Sequence, residues 1–344
     1  MKNISNSKSE PLLEVQNLKM HFKITGKGTL HAVDDVSFSI YPGETVSLVG
    51  ESGCGKSTVG NVIMRLLDRT DGKVFYQGKN IYEADKKESM EICKKMQIIF
   101  QDPYSSLNPK KTIRQILGEA FQIHKIKGKE KENRILELCD KTGIPHNLLD
   151  YFPHELDGGM RQIVGITRAL SMSPGFIVCD EPISALDVSV QAKIINLLID
   201  LQKDMNLSYL FISHDLSVVR HVSDRIMVMY LGQIVEMADT DEIFANTMHP
   251  YSVALLSAVP RVNLDGKVRR IVLKGDVPSP MDPKPGCRFA PRCWMADKCC
   301  TEKTPELREI EPNHYVACHF AELSRERAKT AVTTGIMEQR EETK

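Results

Sequence analysis

The sequence lacks any apolar run long enough to cross a membrane. No stretch approaches the roughly 18 to 20 apolar residues that a spanning helix needs. The first residues, Met1 to Ser7, contain no apolar core of the kind found in signal peptides. We therefore expect a protein that is soluble and cytosolic by itself, with any role at a membrane exerted through partner subunits.

An excess of charge of one sign is also absent. Lys and Arg total 45, as do Asp and Glu, so the formal net charge is zero. The charge balance gives no indication of a nucleic-acid partner, and we predict none. With 344 residues, 42% of them hydrophobic, the chain can bury at least one full-sized core and add a smaller module.

Short Cys-x2-Cys pairs, typical of zinc ribbons, are missing although the chain has nine cysteines. In a cytosolic protein these are thiols or metal ligands rather than disulfides. Four are isolated and are expected to be packing residues: Cys54, Cys93, Cys139 and Cys179. The other five gather near the C-terminus: Cys287, Cys293, Cys299, Cys300 and Cys318. An iron–sulfur cluster, a zinc ion and unligated thiols all remain open for them, and either Cys299 or Cys300 can be the third ligand.

A complete phosphate loop of the pattern Gly-x4-Gly-Lys-Ser/Thr is present. It comprises Gly50, Glu51, Ser52, Gly53, Cys54, Gly55, Lys56, Ser57 and Thr58. Its glycines let backbone N–H groups surround a phosphate, its lysine brings a positive charge to the β- and γ-phosphates, and its serine hydroxyl reaches a magnesium ion. A strand at residues 45–49 precedes it, and helical spacing follows at 59–67, so a helix N-terminus would face the phosphates. A plain glycine-rich turn is the alternative, and this context argues against it.

A second element of a nucleotide site follows an apolar strand. Residues 176–179 are all apolar and indicate a buried parallel strand, and Asp180 and Glu181 come directly after it. Asp180 suits the coordination shell of magnesium, and Glu181 is placed to orient or deprotonate an attacking water. An acidic turn that only caps a core strand would not explain why both carboxylates follow the strand directly.

Strand and helix patterns alternate over most of the chain. Residues 113–171 are mostly helical, so the pattern predicts an α/β core with a helical insertion. Strands are predicted at residues 13–15, 18–22, 32–40, 72–75, 96–100, 176–179, 209–213 and 226–229. We divide the chain into a polar N-terminal tail at 1–11, a core at 12–240 with its helical part at about 102–172, an extension at 241–321 that carries the cysteine cluster, and a charged tail at 322–344.

The order of motifs resembles that of the ATP-binding cassette (ABC) ATPases over residues 12–240. Besides the two elements above, the resemblance is carried by residues 151–162, 184–187 and 211–215. It implies an ABC-type P-loop nucleotide-binding domain with a RecA-like core and a helical subdomain. It also implies an enzyme that binds and hydrolyses ATP with Mg²⁺.

The resemblance implies roles for single residues. Phe22 matches the aromatic residue that stacks on adenine, and Gln101 matches the glutamine that contacts magnesium and couples to the membrane domain. Asp187 belongs to a loop that communicates across a dimer of cassettes. His214 matches the histidine that contacts the γ-phosphate, so the implied catalytic residues are Glu181, His214 and Lys56.

The signature segment, which would face the nucleotide of an opposite cassette, departs from the family pattern. Family members usually have Leu-Ser-Gly-Gly-Gln where this chain has Leu156, Asp157, Gly158, Gly159 and Met160. The serine donates to the γ-phosphate, whereas an ionised aspartate offers only acceptors and repels it. Asp157 can still cap the following helix. We therefore expect a homodimer to work poorly and predict pairing with a different cassette that carries an intact signature.

Three further segments resemble the ATPases of oligopeptide and dipeptide importers, namely residues 101–109, 184–191 and 249–251. In such family members the C-terminal cysteine pattern resembles a four-cysteine [4Fe-4S] site, here Cys287, Cys293, Cys300 (or Cys299) and Cys318. The implied partners are a second, different ATPase subunit, two transmembrane permease subunits and, indirectly, an extracellular substrate-binding protein. The implied location is the cytoplasmic face of the cell membrane.

Together these features predict the ATP-hydrolysing subunit of an importer of oligopeptides or dipeptides. An importer of another solute, such as nickel or a peptide-like compound, is an alternative. A soluble cassette ATPase of DNA repair or translation usually has long heptad segments or two cassettes in tandem, and this chain has neither. A redox or sensory protein, in which the cysteine cluster is the working part and ATP only regulates, is a further alternative.

Overall fold

The computed structural model describes residues 10–259, 271–273, 275 and 277–323. The predicted polar tail at 1–11 and charged tail at 322–344 lie almost wholly outside the described residues. In the described part the strands are β1 Leu13–Ile24, β2 Gly28–Ile40, β3 Thr45–Val49, β4 Asp71–Tyr76, β5 Lys79–Asn80, β6 Met96–Ile99, β7 Phe176–Asp180, β8 Ser208–Ser213, β9 Arg225–Tyr230, β10 Gln233–Asp239, β11 Arg308–Glu311 and β12 His314–Val316.

Eleven α-helices and three short 3₁₀ helices lie in the described residues. The α-helices are α1 Lys56–Ile63, α2 Lys86–Lys95, α3 Pro103–Ser106, α4 Ile113–Ile123, α5 Gly128–Thr142, α6 Gly158–Leu170, α7 Val188–Met205, α8 Leu216–Val222, α9 Thr240–Ala245, α10 Pro250–Ser257 and α11 Lys298–Glu302. Short 3₁₀ helices occupy His146–Asp150, Pro153–Glu155 and Ala290–Arg292. None of the helices in the described ranges has both the length and the apolar character that a membrane span requires.

The larger sheet forms the α/β core and sets the position of the site. Its order is β11-β12-β10-β9-β3-β8-β7-β6, and the strands from β9 to β6 run parallel. Strands β3, β7 and β8 are buried over their whole length, which explains why most of their residues are apolar. The carboxyl ends of these three neighbouring strands meet at one edge, so the segments that follow them are brought together.

The smaller sheet is antiparallel, with the order β2-β1-β4-β5. The two strands predicted at 13–15 and 18–22 are one strand, β1, because shifts in its register with β2 absorb the irregular residues between them. Helix α1 ends at Ile63 rather than at the predicted residue 67, and Arg65 just beyond it has a left-handed backbone (φ +56°).

The predicted helical part at 102–172 contains α3 to α6. Thr112 and Gln115 form a capping box at the start of α4, and Gly143 ends α5 in a left-handed conformation (φ +77°). The side chains of Phe121, Ile135 and Val164 join these helices in the core that also covers one face of the large sheet. The helical insertion is thus packed against the α/β core.

The extension is not a separate layer, because its strands continue the large sheet. Strand β12 pairs with β10 in antiparallel register, with Val316 opposite Glu236. His314 Nε2 lies 2.8 Å from Glu236 Oε1, and both side chains are fully buried. Strands β10 to β12 and helix α2 were not predicted. Helix α2 is polar, with only Ile92 buried, so its sequence has no strong apolar period.

Candidate nucleotide-hydrolysis site

The phosphate loop joins the end of β3 to the start of α1. Gly53 and Gly55 have left-handed backbones (φ +79° and +107°). A Cβ atom on Gly55 would lie 2.0 Å from the carbonyl oxygen of Ala32, so no larger residue fits this turn. The loop therefore has the backbone conformation that its sequence pattern predicts.

Lys56 is folded back over this loop. Its side chain is buried, and Nζ donates to the carbonyl oxygens of Gly50 at 2.9 Å and Glu51 at 3.0 Å. These bonds fix the side chain and hold its positive charge in place for a phosphate. Ser52, Cys54 and Thr58 belong to the same loop, and the side chain of Cys54 is buried.

Ser57 and Asp180 bring two oxygen ligands together. Ser57 Oγ donates to Asp180 Oδ1 at 2.7 Å. Burial raises the pKa of the Asp180 carboxyl, and the Glu181 charge acts in the same direction, whereas the hydrogen bond from Ser57 and the charge of Lys56 lower it. A hydroxyl and a carboxylate at the edge of a phosphate site form the oxygen donor set that Mg²⁺ prefers.

Glu181 lies between two of the other predicted residues. Gln101 Nε2 donates to Glu181 Oε2 at 3.0 Å, and His214 Nδ1 lies 3.3 Å from the same oxygen. Glu181 has a left-handed backbone (φ +44°), and its N–H donates to the carbonyl oxygen of Ile212 on β8. The end of β7 is thus turned so that the Glu181 carboxylate meets segments that follow β6 and β8.

The other predicted site residues lie on neighbouring elements. Phe22 is on β1, paired with Leu30 of β2. Asp187 caps α7 and accepts from the N–H of Val190 at 3.0 Å, and this bond lowers the pKa of its carboxyl. Asp157 caps α6 and accepts from the N–H of Met160 at 2.8 Å. Within the part of the chain that the structure describes, no hydrogen bond or ion pair joins the signature residues 157–160 to Lys56 or Glu181.

Four cysteines of the extension line one pocket, here called the cysteine pocket. Its walls include Cys287, Cys293, Cys300, Cys318, His249 and Phe289, whereas Cys299 is not among them. Burial raises the pKa of the Cys287 thiol to about 11 and that of Cys293 to about 12. Burial lowers the pKa of His249 to about 4, so its ring is neutral at physiological pH.

Two residues that contact the phosphate loop are not among the site residues predicted from the sequence. Tyr251 and Arg292, both from beyond residue 240, contact Glu51. Tyr251 lies in a segment noted only for its family resemblance, and Arg292 lies between two cysteines of the cluster. No sequence signal links either residue to a loop about 200 or more residues earlier, because their contact depends on how the extension docks.

Known proteins of one family match this chain. A family model described as "ABC transporter" matches residues 33–184, and one described as "Oligopeptide/dipeptide transporter, C-terminal region" matches residues 235–300. The oligopeptide transport ATP-binding protein OppF of Bacillus subtilis is 48% identical over 317 residues, covering 91% of this chain and 98% of OppF. AppF, a protein of the same description from B. subtilis, is 47% identical over 321 residues, covering 90% and 98%.

Among solved structures, the dimeric ATP-binding cassette MJ0796 bound to ADP and Pi matches with a TM-score of 0.60 at 29% identity. The match covers 66% of this chain and 98% of that cassette. The fold and site thus define an ABC-type ATPase. The chain belongs to the ATP-binding proteins of the oligopeptide/dipeptide ABC transporter family. The predicted ABC cassette and family are confirmed.

Proposed function

We propose that this chain is the ATP-hydrolysing subunit of a membrane importer of oligopeptides or dipeptides, bound at the cytoplasmic face through two permease subunits. The proposal is carried by the placement of Glu181, which Gln101 and His214 contact beside the Ser57–Asp180 pair. The names of the relatives and the match of the C-terminal region support peptides as the solute. An extracellular substrate-binding protein would deliver the peptide.

The chemistry follows from the positions of the side chains. Lys56 binds the phosphates, and Ser57 and Asp180 would hold Mg²⁺, which when bound neutralises phosphate charge. Glu181 accepts a proton from the attacking water or orients it, because its carboxylate is held by Gln101 and His214. His214 is also the side chain proposed to contact the γ-phosphate, and Phe22 the one proposed to stack on adenine.

Transport by the assembled complex tests the proposal. Vesicles that contain this chain, its partner cassette, both permeases and the substrate-binding protein should take up a radiolabelled peptide when ATP is supplied at the cytoplasmic face. Lys56→Ala should abolish this uptake, whereas Lys129→Ala, at an exposed position on α5, should not. If the vesicles instead take up nickel without peptide, and this uptake needs Lys56, the transported solute is not a peptide. Equal peptide uptake by Lys56→Ala and wild type would contradict the proposal as a whole.

We further propose that the chain works beside a second, different cassette. The Asp157 carboxylate caps α6, which explains why the helix survives a changed signature. The same carboxylate would face the γ-phosphate of the partner with like charge, and Met160 lacks the amide of the usual glutamine. The partner's signature would complete the site built on Lys56 and Glu181, and the partner's own site would hydrolyse ATP slowly.

The asymmetry has its own test. Asp157→Ser combined with Met160→Gln should speed ATP turnover at the partner's site in the assembled complex, measured with Glu181→Gln silencing the other site. Asp157→Asn is the matched control for the effect of charge, because it removes the carboxylate charge and keeps an oxygen that can cap α6. A partner site that is already fast in wild type, or a homodimer with full activity, would contradict this proposal.

We propose, finally, that the cysteine pocket holds a [4Fe-4S] cluster on Cys287, Cys293, Cys300 and Cys318. Tetrahedral zinc with Zn–S bonds of about 2.3 Å would need sulfur atoms about 3.8 Å apart. Among the described residues, no three of these Sγ atoms lie within 4.8 Å of one another. Four cysteines that line one pocket match the four thiolates that a [4Fe-4S] cluster takes. The neutral thiols expected in so buried a pocket would be thiolates once bound to iron.

Iron and sulfide analysis after anaerobic purification tests the cluster. Cys293→Ser and Cys300→Ser should each lower the iron content, whereas Cys299→Ser should retain it because Cys299 is not in the pocket wall. Stoichiometric zinc without iron, or equal losses from Cys299→Ser and Cys300→Ser, would contradict the assignment.

A further inference from the structure

The extension contacts the phosphate loop at Glu51. Arg292 Nη1 donates to Glu51 Oε2 at 2.8 Å, and Arg292 Nη2 donates to Glu51 Oε1 at 3.3 Å. The backbone N–H of Glu51 donates to Tyr251 Oη at 2.8 Å. The side chain and the backbone of one loop residue are therefore both fixed by residues from beyond the nucleotide motifs.

The Arg292–Glu51 pair is held in a largely buried setting. The side chain of Arg292 is 8% exposed and that of Glu51 is 28% exposed. Tyr230 Oη lies 3.5 Å from Arg292 Nη1, and the rings of Tyr230, Tyr251 and Phe289 pack together beside it. A two-pronged arginine–carboxylate pair of this kind also fixes the orientation of the carboxylate.

The charge of Glu51 is unfavourable for the task of the loop. The phosphates of ATP bring negative charge to the N–H groups and Lys56 of this segment, and a carboxylate within it opposes their approach. An arginine paired with that carboxylate cancels the repulsion. Removing the arginine alone would leave an uncompensated negative charge beside the phosphates.

We infer that Arg292 is a positioning residue for the phosphate loop, through which the extension sets the affinity for ATP by neutralising and holding Glu51. This inference rests on the proposed nucleotide function of the loop. It assigns to the extension a role in nucleotide binding.

Binding of a fluorescent ATP analogue with Mg²⁺ to the full chain tests the inference. Arg292→Gln should weaken binding about tenfold at low salt, because the charge of Glu51 is then unpaired. Glu51→Gln should strengthen binding, because Arg292 is then an unpaired positive charge. The double variant should return towards wild type. Arg292→Lys, which keeps the charge, should lose less than Arg292→Gln, and all differences should shrink at about 1 M salt.

A matched control separates this effect from general loosening of the extension. Arg288 lies four residues earlier and pairs with Asp34, so Arg288→Gln removes an ion pair of the extension that does not contact the phosphate loop. Arg288→Gln should leave the affinity for the ATP analogue within about twofold of wild type. Thermal unfolding of each variant shows which of them are folded. If Arg292→Gln does not fold, Glu51→Gln and Arg292→Lys still show whether the charge of Glu51 weakens ATP binding.

The outcomes are distinct. If Lys56→Ala binds the ATP analogue as wild type does, the proposed nucleotide site itself fails. Two results overturn the inference while Lys56→Ala still abolishes binding: Glu51→Gln weakens binding, or the double variant binds no better than Arg292→Gln. In either case Arg292 does not act through the charge of Glu51. The inference is supported if affinity for the ATP analogue is highest in Glu51→Gln, intermediate in wild type and the double variant, and lowest in Arg292→Gln.

Discussion

His314 and Glu236 form a fully buried ion pair that joins the last strand of the extension to the large sheet. His314 Nε2 lies 2.8 Å from Glu236 Oε1, and Glu236 also accepts from the N–H groups of Met248 and His249. Burial alone would lower the pKa of His314, but the hydrogen bond and charge of Glu236 outweigh it, and the pKa is raised. The hydrogen bond between Glu236 and His314 is therefore stronger when the histidine is protonated.

This pair predicts how stability changes with pH. A group whose folded pKa is raised contributes its full stabilisation below its unfolded pKa of about 6.5, and that stabilisation is lost as pH rises through the folded pKa. We expect the contribution of this pair to the free energy of unfolding, measured in urea titrations, to fall as pH rises above about 6.5. His314→Gln should lower the free energy of unfolding by about 3 kcal/mol at pH 6 and remove much of the pH dependence.

His146 provides a matched control for this prediction. It pairs with Asp140 at 2.8 Å, but both side chains are at least half exposed. His146→Gln should therefore change the free energy of unfolding by less than about 1 kcal/mol and leave its pH dependence intact. Equal effects of the two substitutions would contradict the role of the buried pair.

Gln101 is expected to act on turnover more than on binding. Its amide donates to the Glu181 carboxylate at 3.0 Å, so Gln101→Ala leaves Glu181 with one partner fewer. We expect kcat of the assembled complex to fall by about tenfold or more, with a smaller change in KM for ATP. Gln97→Ala, on the preceding strand with its amide bonded to the carbonyl of Cys93, should leave both constants near wild type. A pure KM effect of Gln101→Ala would argue against this role.

Two glycines of α6 should respond in opposite ways to alanine. A Cβ atom on Gly159 would lie 2.6 Å from Cγ1 of Val190, so Gly159→Ala should destabilise the chain by about 1 to 3 kcal/mol. Gly165 has no atom within 4 Å of its Cβ position, and Gly165→Ala should stabilise the helix by up to about 1 kcal/mol. Adding Val190→Ala should recover part of the loss at Gly159. Denaturant unfolding measures all three variants, and equal effects of Gly159→Ala and Gly165→Ala would refute the packing account.

The sequence predicts the nucleotide site better than it predicts the extension. Lys56, Ser57, Asp180 and Glu181 lie in motifs next to buried apolar strands, and parallel strands must bring such ends to one edge. The contact of Gln101 and His214 with Glu181 follows from the same sheet order, which the family resemblance supplies and periodicity alone does not.

The docking of the extension has no comparable local signal. Strand β12 has only three residues, and its pairing with β10 depends on a buried charge pair 78 positions apart in the chain. The contacts of Arg292 with Glu51 and of Arg288 with Asp34 are likewise long-range pairs of charged side chains. Such residues look like ordinary surface charges in a sequence, because nothing near them indicates burial.

ATP turnover by Glu181→Gln tests the central claim most directly. In the assembled complex this substitution keeps the shape of the side chain but removes the carboxylate that Gln101 and His214 hold. We expect binding of the ATP analogue to persist while the hydrolysis rate falls by at least about 100-fold, with Glu306→Gln, at an exposed position, active as the control. Hydrolysis by Glu181→Gln at the wild-type rate would contradict the account.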